Sequence, residues 1–266
     1  MSAALAQAEG RVRLFVGADL GEGRSLALRE GQAHYLANVM RLASGDAVRV
    51  FNGRDGEWLA RIERMQRAAA ALTVERRLRA QEADAGPWLI FAPVKKSATD
   101  YIVEKATELG AGRIWPVMTE RTIAARVATA RMQATAIEAA EQCGRLTVPE
   151  IAAPSTLVQL VADWPPERAL LLAHPPGSGR AEPVVEAMSA LASSAPASLP
   201  PAVGLLVGPE GGLTRGEVDV LASLPCAKVV HLGPRTLRAE TAVAALLACW
   251  QCLAGDWRDG GTPPKR

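Results

Sequence analysis

The sequence predicts an α/β protein in which a parallel-sheet domain follows a small β-rich one. Three observations carry that reading. Between residues 11 and 80, short segments of alternating hydrophobicity are separated by turn residues. From Trp88 onward, apolar runs of strand length alternate with helical periodicity, the grammar of a parallel sheet. In that second part, two strand-to-helix junctions concentrate glycine, arginine and glutamate.

In the first part, Val12, Leu14 and Val16 alternate with other residues, and Ser25 to Leu28 is a second short strand. Glu30 to Met40 reads as a short amphipathic helix. Asp46 to Phe51 and Trp58 to Ile62 flank the turn signals Asn52-Gly53 and Asp55-Gly56, and Leu72 to Leu78 supplies another strand. So many short strands in so few residues suggest a small barrel. Gln81 to Pro87, polar and ending in Gly-Pro, marks a domain boundary. Beyond it come a strand at Trp88 to Val94, a helix from Thr99 to Leu109, a strand at Arg113 to Met118 and a helix from Arg126 to Arg145. Ala169 to Ala173 and Val203 to Val207 are apolar throughout, as strands buried on both faces must be. A helix from Thr214 to Leu224 opens with a capping box, Thr214 followed by Glu217. A strand at Val229 to Leu232 and a helix at Glu240 to Leu253 complete the set. Ser193 to Ala202 reads as a surface loop; Met1 to Gly10 and the tail after Trp257 read as unstructured.

The chain of 266 residues is long enough for two domains, each with its own core. No run approaches the roughly 18 apolar residues of a membrane span, and the N-terminus lacks a signal-peptide layout; four cysteines without a redox or metal pattern add the expectation of a reduced, cytoplasmic protein. The net charge of +2 argues against a global basic field. Its distribution is uneven: residues 11–87 hold 13 Lys/Arg against 10 Asp/Glu, and residues 88–255 hold 14 against 15. Arg61, Arg64, Arg67, Arg76, Arg77 and Arg79 lie close together and suit phosphates, though charge alone fits solvated strand faces equally well. Cys249 and Cys252 invite a redox reading, but they sit in an apolar helical stretch, where buried thiols act as small hydrophobes. No metal site is expected.

Gly208-Pro209-Glu210-Gly211-Gly212 follows one apolar strand and precedes the capped helix. Ligands of open α/β sheets bind at such carboxyl ends, where glycine lets the backbone approach closely. The spacing matches neither a dinucleotide fingerprint nor a P-loop, which disfavours a phosphate-gripping nucleotide site. Leu232-Gly233-Pro234-Arg235-Thr236-Leu237-Arg238-Ala239-Glu240-Thr241-Ala242 also follows a strand and opens a helix. Placing Arg238 and Glu240 there demands partners or a ligand. Glu141-Gln142-Cys143-Gly144-Arg145 ends the long helix, with Glu141 and Arg145 on one face, where a surface ion pair is the plainer reading. Lys95 and Lys96 precede a helix carrying Lys105-Ala106-Thr107-Glu108-Leu109-Gly110.

These four motifs, in this order and spacing over residues 11–255, resemble the bacterial 16S rRNA uridine N3-methyltransferase family, ribosomal small subunit methyltransferase E, of the SPOUT superfamily. The resemblance implies a PUA-like β-barrel at residues 11–82 and, at 87–256, a parallel-sheet methyltransferase domain with a C-terminal trefoil knot. It implies S-adenosyl-L-methionine as cofactor, S-adenosyl-L-homocysteine as product, and a homodimer that completes the active site. Carried over by motif, the cofactor residues are Leu172, Val207, Gly208, Glu210, Gly211, His231, Leu232, Gly233, Leu237, Arg238, Thr241 and Ala242. The partner implied is 16S rRNA in the small ribosomal subunit, met by Arg61, Arg64, Arg76, Arg77, Arg79, Lys95 and Lys96.

Uracil N3 carries a proton and is a poor nucleophile while neutral. A site must remove that proton, stabilise the anionic ring and align the atoms. Arg238 or Arg145 suits the anion, and Glu210, Glu240 and Glu141 are the candidates for base or positioning. Two other readings stay open: a knotted methyltransferase acting on another RNA position, and a non-catalytic ribosome assembly factor.

Overall fold

The computed structural model describes residues 10–66, 69–82, 86–124, 126–175, 181–196 and 200–259. By contact the chain divides into two units. Among the described residues, the first contains 10–82 and 140–148, and the second contains 86–139 and 149–259. Arg67 and parts of the expected boundary, the Ser193–Ala202 loop, the leader and the tail lie outside the described residues.

The first unit is built on β1 (Arg13–Phe15), β2 (Ser25–Leu28), β3 (Ala47–Phe51), β4 (Glu57–Met65) and β5 (Ala70–Arg79). Hydrogen bonds link them in the order β1-β3-β4-β5-β2. The β1–β3 pair is parallel and the rest antiparallel. Alternating side chains of these strands make the core, with Leu14, Val48, Val50, Ile62, Leu72 and Val74 buried. Irregular pairing between β4 and β5 at three points strengthens their twist. Only glycine serves at 56, where φ is +84° and a Cβ would lie 2.2 Å from the Arg79 carbonyl oxygen. The expected helix at Glu30 to Met40 is α1 (Glu30–His34) followed by a π-helical turn, Tyr35–Val39.

A buried carboxylate organises this unit. Glu57 is 1% exposed and accepts from Arg13 Nε at 2.6 Å and from Arg79 Nε and Nη2 at 3.0 Å each. Burial alone would raise its pKa, but the hydrogen bonds from Arg79 and Arg13 prevail and hold it below the usual carboxylate range. The same two arginines donate to the carbonyls of Ala140, Glu141, Arg145 and Gly144. Ala140 and Glu141 lie in the last turn of a helix that ends at Cys143, and Gly144 and Arg145 lie just past it, where carbonyls run short of backbone donors and cations answer them. Residues 140–148, expected within the 87–256 domain, therefore cluster with the N-terminal unit.

The second unit contains β6 (Trp88–Phe91), α2 (Lys96–Glu108), β7 (Arg113–Met118), most of α3 (Thr129–Cys143), β8 (Glu150–Ile151), β9 (Ser155–Thr156) and α4 (Leu157–Ala162). It continues with β10 (Ala169–Ala173), β11 (Glu182–Pro183), α5 (Val184–Ser194), β12 (Val203–Val207), α6 (Arg215–Ala222), β13 (Ala227–His231) and α7 (Ala239–Leu253). The sheet order is β11-β13-β10-β12-β6-β7-β8, with β9 also on β7, and these pairings are parallel. The central strands β10 and β12 are apolar because helices cover both faces of such a sheet; Leu170, Leu171 and Leu205 are fully buried.

At the amino ends of β6, β7 and β10, Trp88 meets Trp115 and Trp164 edge-on, at 6.2 and 5.9 Å between centroids. Arg168 stacks 3.9 Å and Arg113 4.7 Å from the Trp88 ring centre. This cluster closes one edge of the sheet, and the opposite edge is left to the glycine-rich loops.

Several boundaries differ from the sequence reading. The strand at Trp88 ends at Phe91, before Pro93, and α2 begins at Lys96, earlier than Thr99. Helix α3 is shorter than Arg126 to Arg145 at both ends. Helices α4 and α5 were not anticipated. Cys249 is half-buried, with its thiol pushed up by burial, whereas Cys252 is exposed rather than buried.

Candidate active site

Three neighbouring strands end level with one another. Ala173 of β10 is in register with Val207 of β12 on one side and with Val230 of β13 on the other. The loops that follow must therefore leave the sheet together. They border a cavity of about 230 Å³ lined by Ala173 to Pro175, Val207 to Leu213, Leu232, Arg235 to Leu237, Ala239 and Ala242.

Local chemistry shapes each loop. Thr214 caps α6 by accepting from the Glu217 amide, while Glu217 Oε2 accepts from the Thr214 amide at 2.8 Å. This fixes where the loop at 208–212 must stop. Gly212 there has φ +71°, and a Cβ on Gly208 would come within 3.0 Å of Leu213 Cγ. In the 232–238 loop, Gly233 has φ +89° and donates its N–H to His231 Nδ1 at 3.2 Å, which leaves the imidazole proton on Nε2. Arg238 is the N-cap of α7 with no side-chain capping bond, and Glu240 stands in the first turn, where the helix dipole favours an anion.

The structure brings Val207, Gly208, Glu210, Gly211, Leu232, Leu237 and Ala242 onto the cavity wall. Leu172 is buried within β10, His231 and Gly233 lie beside the wall residue Leu232, and Arg238 and Thr241 are exposed next to it. Glu210 is exposed at the cavity. Glu240 has one carboxylate oxygen, Oε2, buried without a hydrogen-bond partner among the described residues. Glu141 and Arg145 are placed elsewhere, in the N-terminal unit. There Glu141 Oε1 accepts from the Phe15 amide at 2.8 Å, and Arg145 Nε donates to Thr147 Oγ1 at 3.1 Å.

Of the arginines expected to meet RNA, Arg61 is held by both oxygens of Glu75, at 2.5 and 3.1 Å, and by the Gly45 carbonyl. Arg79 is held by Glu57. Arg64, Arg76 and Arg77 are exposed, Arg77 lying over the Trp58 ring at 6.0 Å. Lys95 and Lys96 are exposed at the start of α2.

Sequence reasoning missed Pro175, Leu213, Arg235 and Thr236 on the wall. Arg235 and Thr236 sit inside a motif already singled out, so their position was the available signal. It also missed Arg121, which donates to the Gly211 carbonyl at 2.8 Å and packs on that glycine. Beside it, the Glu120 amide donates to Glu217 Oε1 at 2.7 Å. One carboxylate thus ties the 119–122 segment to the start of α6. Nothing local announces a contact between residues so far apart in sequence.

Comparison with known proteins decides the family. A model of the RNA methyltransferase domain matches residues 84–251, and one of the RNA methyltransferase PUA domain matches residues 28–75. Ribosomal RNA small subunit methyltransferase E of Rickettsia conorii is 30% identical over 237 residues, covering 89% of this chain and 93% of its own. The chain belongs to the ribosomal RNA small subunit methyltransferase E family. The relative of the same name from Synechocystis is 36% identical over 228 residues, with 84% and 72% covered. The solved structure of the Neisseria gonorrhoeae member, bound to S-adenosyl methionine, superposes with a TM-score of 0.79 at 27% identity, covering 92% of this chain and 99% of that one. The methyltransferase E family relationship makes the parallel-sheet part an RNA methyltransferase domain that follows a PUA domain. It makes the reaction class methyl transfer to RNA. Among the described residues, no group of three or more His, Cys, Asp or Glu is arranged to hold a metal ion. No helix among them is long and apolar enough to cross a membrane.

Proposed function

We propose that this chain methylates N3 of a uridine in 16S rRNA, with S-adenosylmethionine as donor and the small ribosomal subunit as substrate. The observation that carries the reading is the cavity where three in-register strands release glycine-bearing loops. Its wall suits a nucleoside-bearing cofactor: Val207, Leu213, Leu232, Leu237 and Ala242 offer apolar faces to a flat base, and Gly208, Gly211 and Gly212 leave room for it to approach the backbone. When bound, the cofactor supplies a sulfonium methyl group that is already electrophilic, so activation falls on the uridine.

The chain's own residues meet that demand in three ways. The glycine loops hold the donor against the sheet edge, and the cap at Thr214 with the Arg121 bond keeps the 208–212 loop in one conformation. A carboxylate takes the N3 proton; Glu240, with an oxygen buried and unpartnered, is better prepared for that than the exposed Glu210. Arg238, uncommitted to capping, supplies the positive charge that favours the uracil anion. Val207, Leu232, Leu237 and Ala242 would hold the donor, which would supply its methyl group to that nitrogen. The family relationship further supports a trefoil knot in the C-terminal loops, a homodimer that completes the site, and a cytoplasmic location.

The test is to incubate the protein with labelled S-adenosylmethionine and small subunits lacking the modification, then digest the RNA and identify the methylated nucleoside. N3-methyluridine supports the reading. Label at another position keeps the methyltransferase and discards the target, and no transfer with no cofactor binding favours an assembly factor.

A further inference from the structure

A second cleft, of about 280 Å³, opens at the carboxyl edge of the same sheet. It lies after β6 and β7, between Pro93 to Asp100 and Ile123 to Met132. Strand β6 is hydrogen-bonded to β12, and Phe91 is in register with Val207. The chain segments bordering the two cavities thus leave adjacent strands, which lie roughly 4.8 Å apart. In strand order this is also where the chain reverses direction across the sheet, since β7 follows β6 on one side and β12 flanks it on the other.

The lining has two characters. Lys95, Lys96, Arg126 and Arg131 are basic, against one acid, Asp100. Arg131 engages Asp100 through Nε and Nη2 at 2.7 and 2.6 Å, and this hydrogen bonding holds the Asp100 carboxyl below its usual range. That acid is therefore neutralised within the wall. Lys95 and Arg126 have no second acid on the wall to pair with, and Lys96 acts only on the Asp100 that Arg131 already holds. Apart from Thr99 the remaining wall is apolar; Pro93, Val94 and Met132 are buried in it, and Ile123 is 69% exposed. An excess of cations beside the exposed Ile123 side chain matches a nucleotide, with its phosphate on the cations and its base or ribose on the isoleucine. Arg121, which holds the wall residue Gly211 of the first cavity, lies two residues before Ile123, so one short segment braces the first cavity and lines the second.

We infer that this cleft binds one nucleotide of the single-stranded RNA substrate, its phosphate held by Lys95, Lys96 and Arg126 and its base or ribose covering Ile123. The inference rests on the reading of the neighbouring cavity as the methyl-donor site. It makes the carboxyl edge of the sheet a continuous track, with the donor on one side of the β12–β6 junction and the RNA strand on the other.

The test combines Lys95→Gln, Lys96→Gln and Arg126→Gln in one variant and makes Ile123→Ala separately. Binding to small ribosomal subunits with unmodified 16S rRNA is measured from about 50 to 200 mM salt, with S-adenosylmethionine affinity and melting temperature as controls. The triple variant is expected to bind subunits at least about tenfold more weakly, with a salt slope shallower by about 0.7, the value for one lost phosphate contact. Its cofactor affinity should hold. Ile123→Ala, an exposed change with little to unfold, should weaken binding without altering the slope. Unchanged subunit affinity and slope overturn the inference. Subunit affinity kept while uridine 5′-monophosphate binding is lost overturns it too, since the cleft would then take a free nucleotide. Wild-type protein that neither binds S-adenosylmethionine nor methylates subunits sinks the donor-site reading; unchanged RNA binding in the variants sinks the cleft alone.

Discussion

The carboxyl edge of the parallel sheet and the arginine seam of the N-terminal unit use charge in opposite ways. In the seam, Glu57 is buried and every oxygen is engaged, and Arg13 and Arg79 divide their donors between that carboxylate and helix-ending carbonyls. At the sheet edge, Glu240 keeps a buried oxygen without a hydrogen-bond partner among the described residues, Arg238 makes no side-chain capping bond, and Lys95 and Arg126 have no second acid on the cleft wall to pair with. Residue identity does not separate the two regions, since both hold arginine and glutamate. The partners do. A charge that is already answered holds the fold, and one left unanswered at a cavity is available to a ligand.

The strongest way to break this comparison is to remove the answer inside the seam. Glu57→Ala leaves two arginines without their counter-charge and should cost about 3–5 kcal/mol in denaturant unfolding. A loss below about 1 kcal/mol would mean that the carbonyls alone satisfy Arg13 and Arg79. The pH dependence has a definite sign. Because the folded carboxyl titrates below the ordinary value, the stabilisation is complete above about pH 4.3 and is lost as pH falls through the depressed value. Glu57→Gln should flatten that acid limb.

At the sheet edge, Gly212→Val forces a β-branched residue to φ +71°. It should lower S-adenosylmethionine affinity by at least about tenfold in calorimetric titration, while the melting temperature falls modestly. Retained affinity would detach this loop from the donor. A smaller effect is expected of Arg121→Ala, which removes one hydrogen bond to Gly211, worth about 0.5–1.5 kcal/mol. It should raise KM for the cofactor roughly three- to tenfold and leave kcat nearly unchanged; a fall in kcat with constant KM would place Arg121 in the chemistry. The mildest change is Thr214→Ala, which loses the α6 cap for about 1 kcal/mol of stability by denaturant titration.

Much of the fold was legible wherever local pattern and burial agree. The apolar strands β10 and β12 were found to the residue, because burial on both faces leaves no room for polar side chains. The Thr214–Glu217 box announced α6 for a local reason, two side chains answering two amides three residues apart. Helix α5 escaped notice: its Ala/Ser-rich second half runs toward a proline-rich stretch and resembles a loop in composition. Helix α4 is a short six-residue element whose own capping box, Thr156 with Gln159, went unread. The parallel β1–β3 pair was beyond reach, since nothing local specifies a non-local register. The site was legible in its glycine motifs, where backbone conformation dictates the residue. It was not legible in its charges: Arg61 and Arg79 look like Arg76 and Arg77 until Glu75 and Glu57 are seen beside them.

The capture of residues 140–148 by the N-terminal unit bears on the order in which the chain matures. Arg13 and Glu57 are synthesised early, yet the carbonyls that Arg13 and Arg79 answer arrive only after the first strands and helices of the second unit have been made. The first unit to emerge is thus not the first that can be finished, and its buried arginines must wait, hydrated, for a helix end that belongs to the other half of the chain.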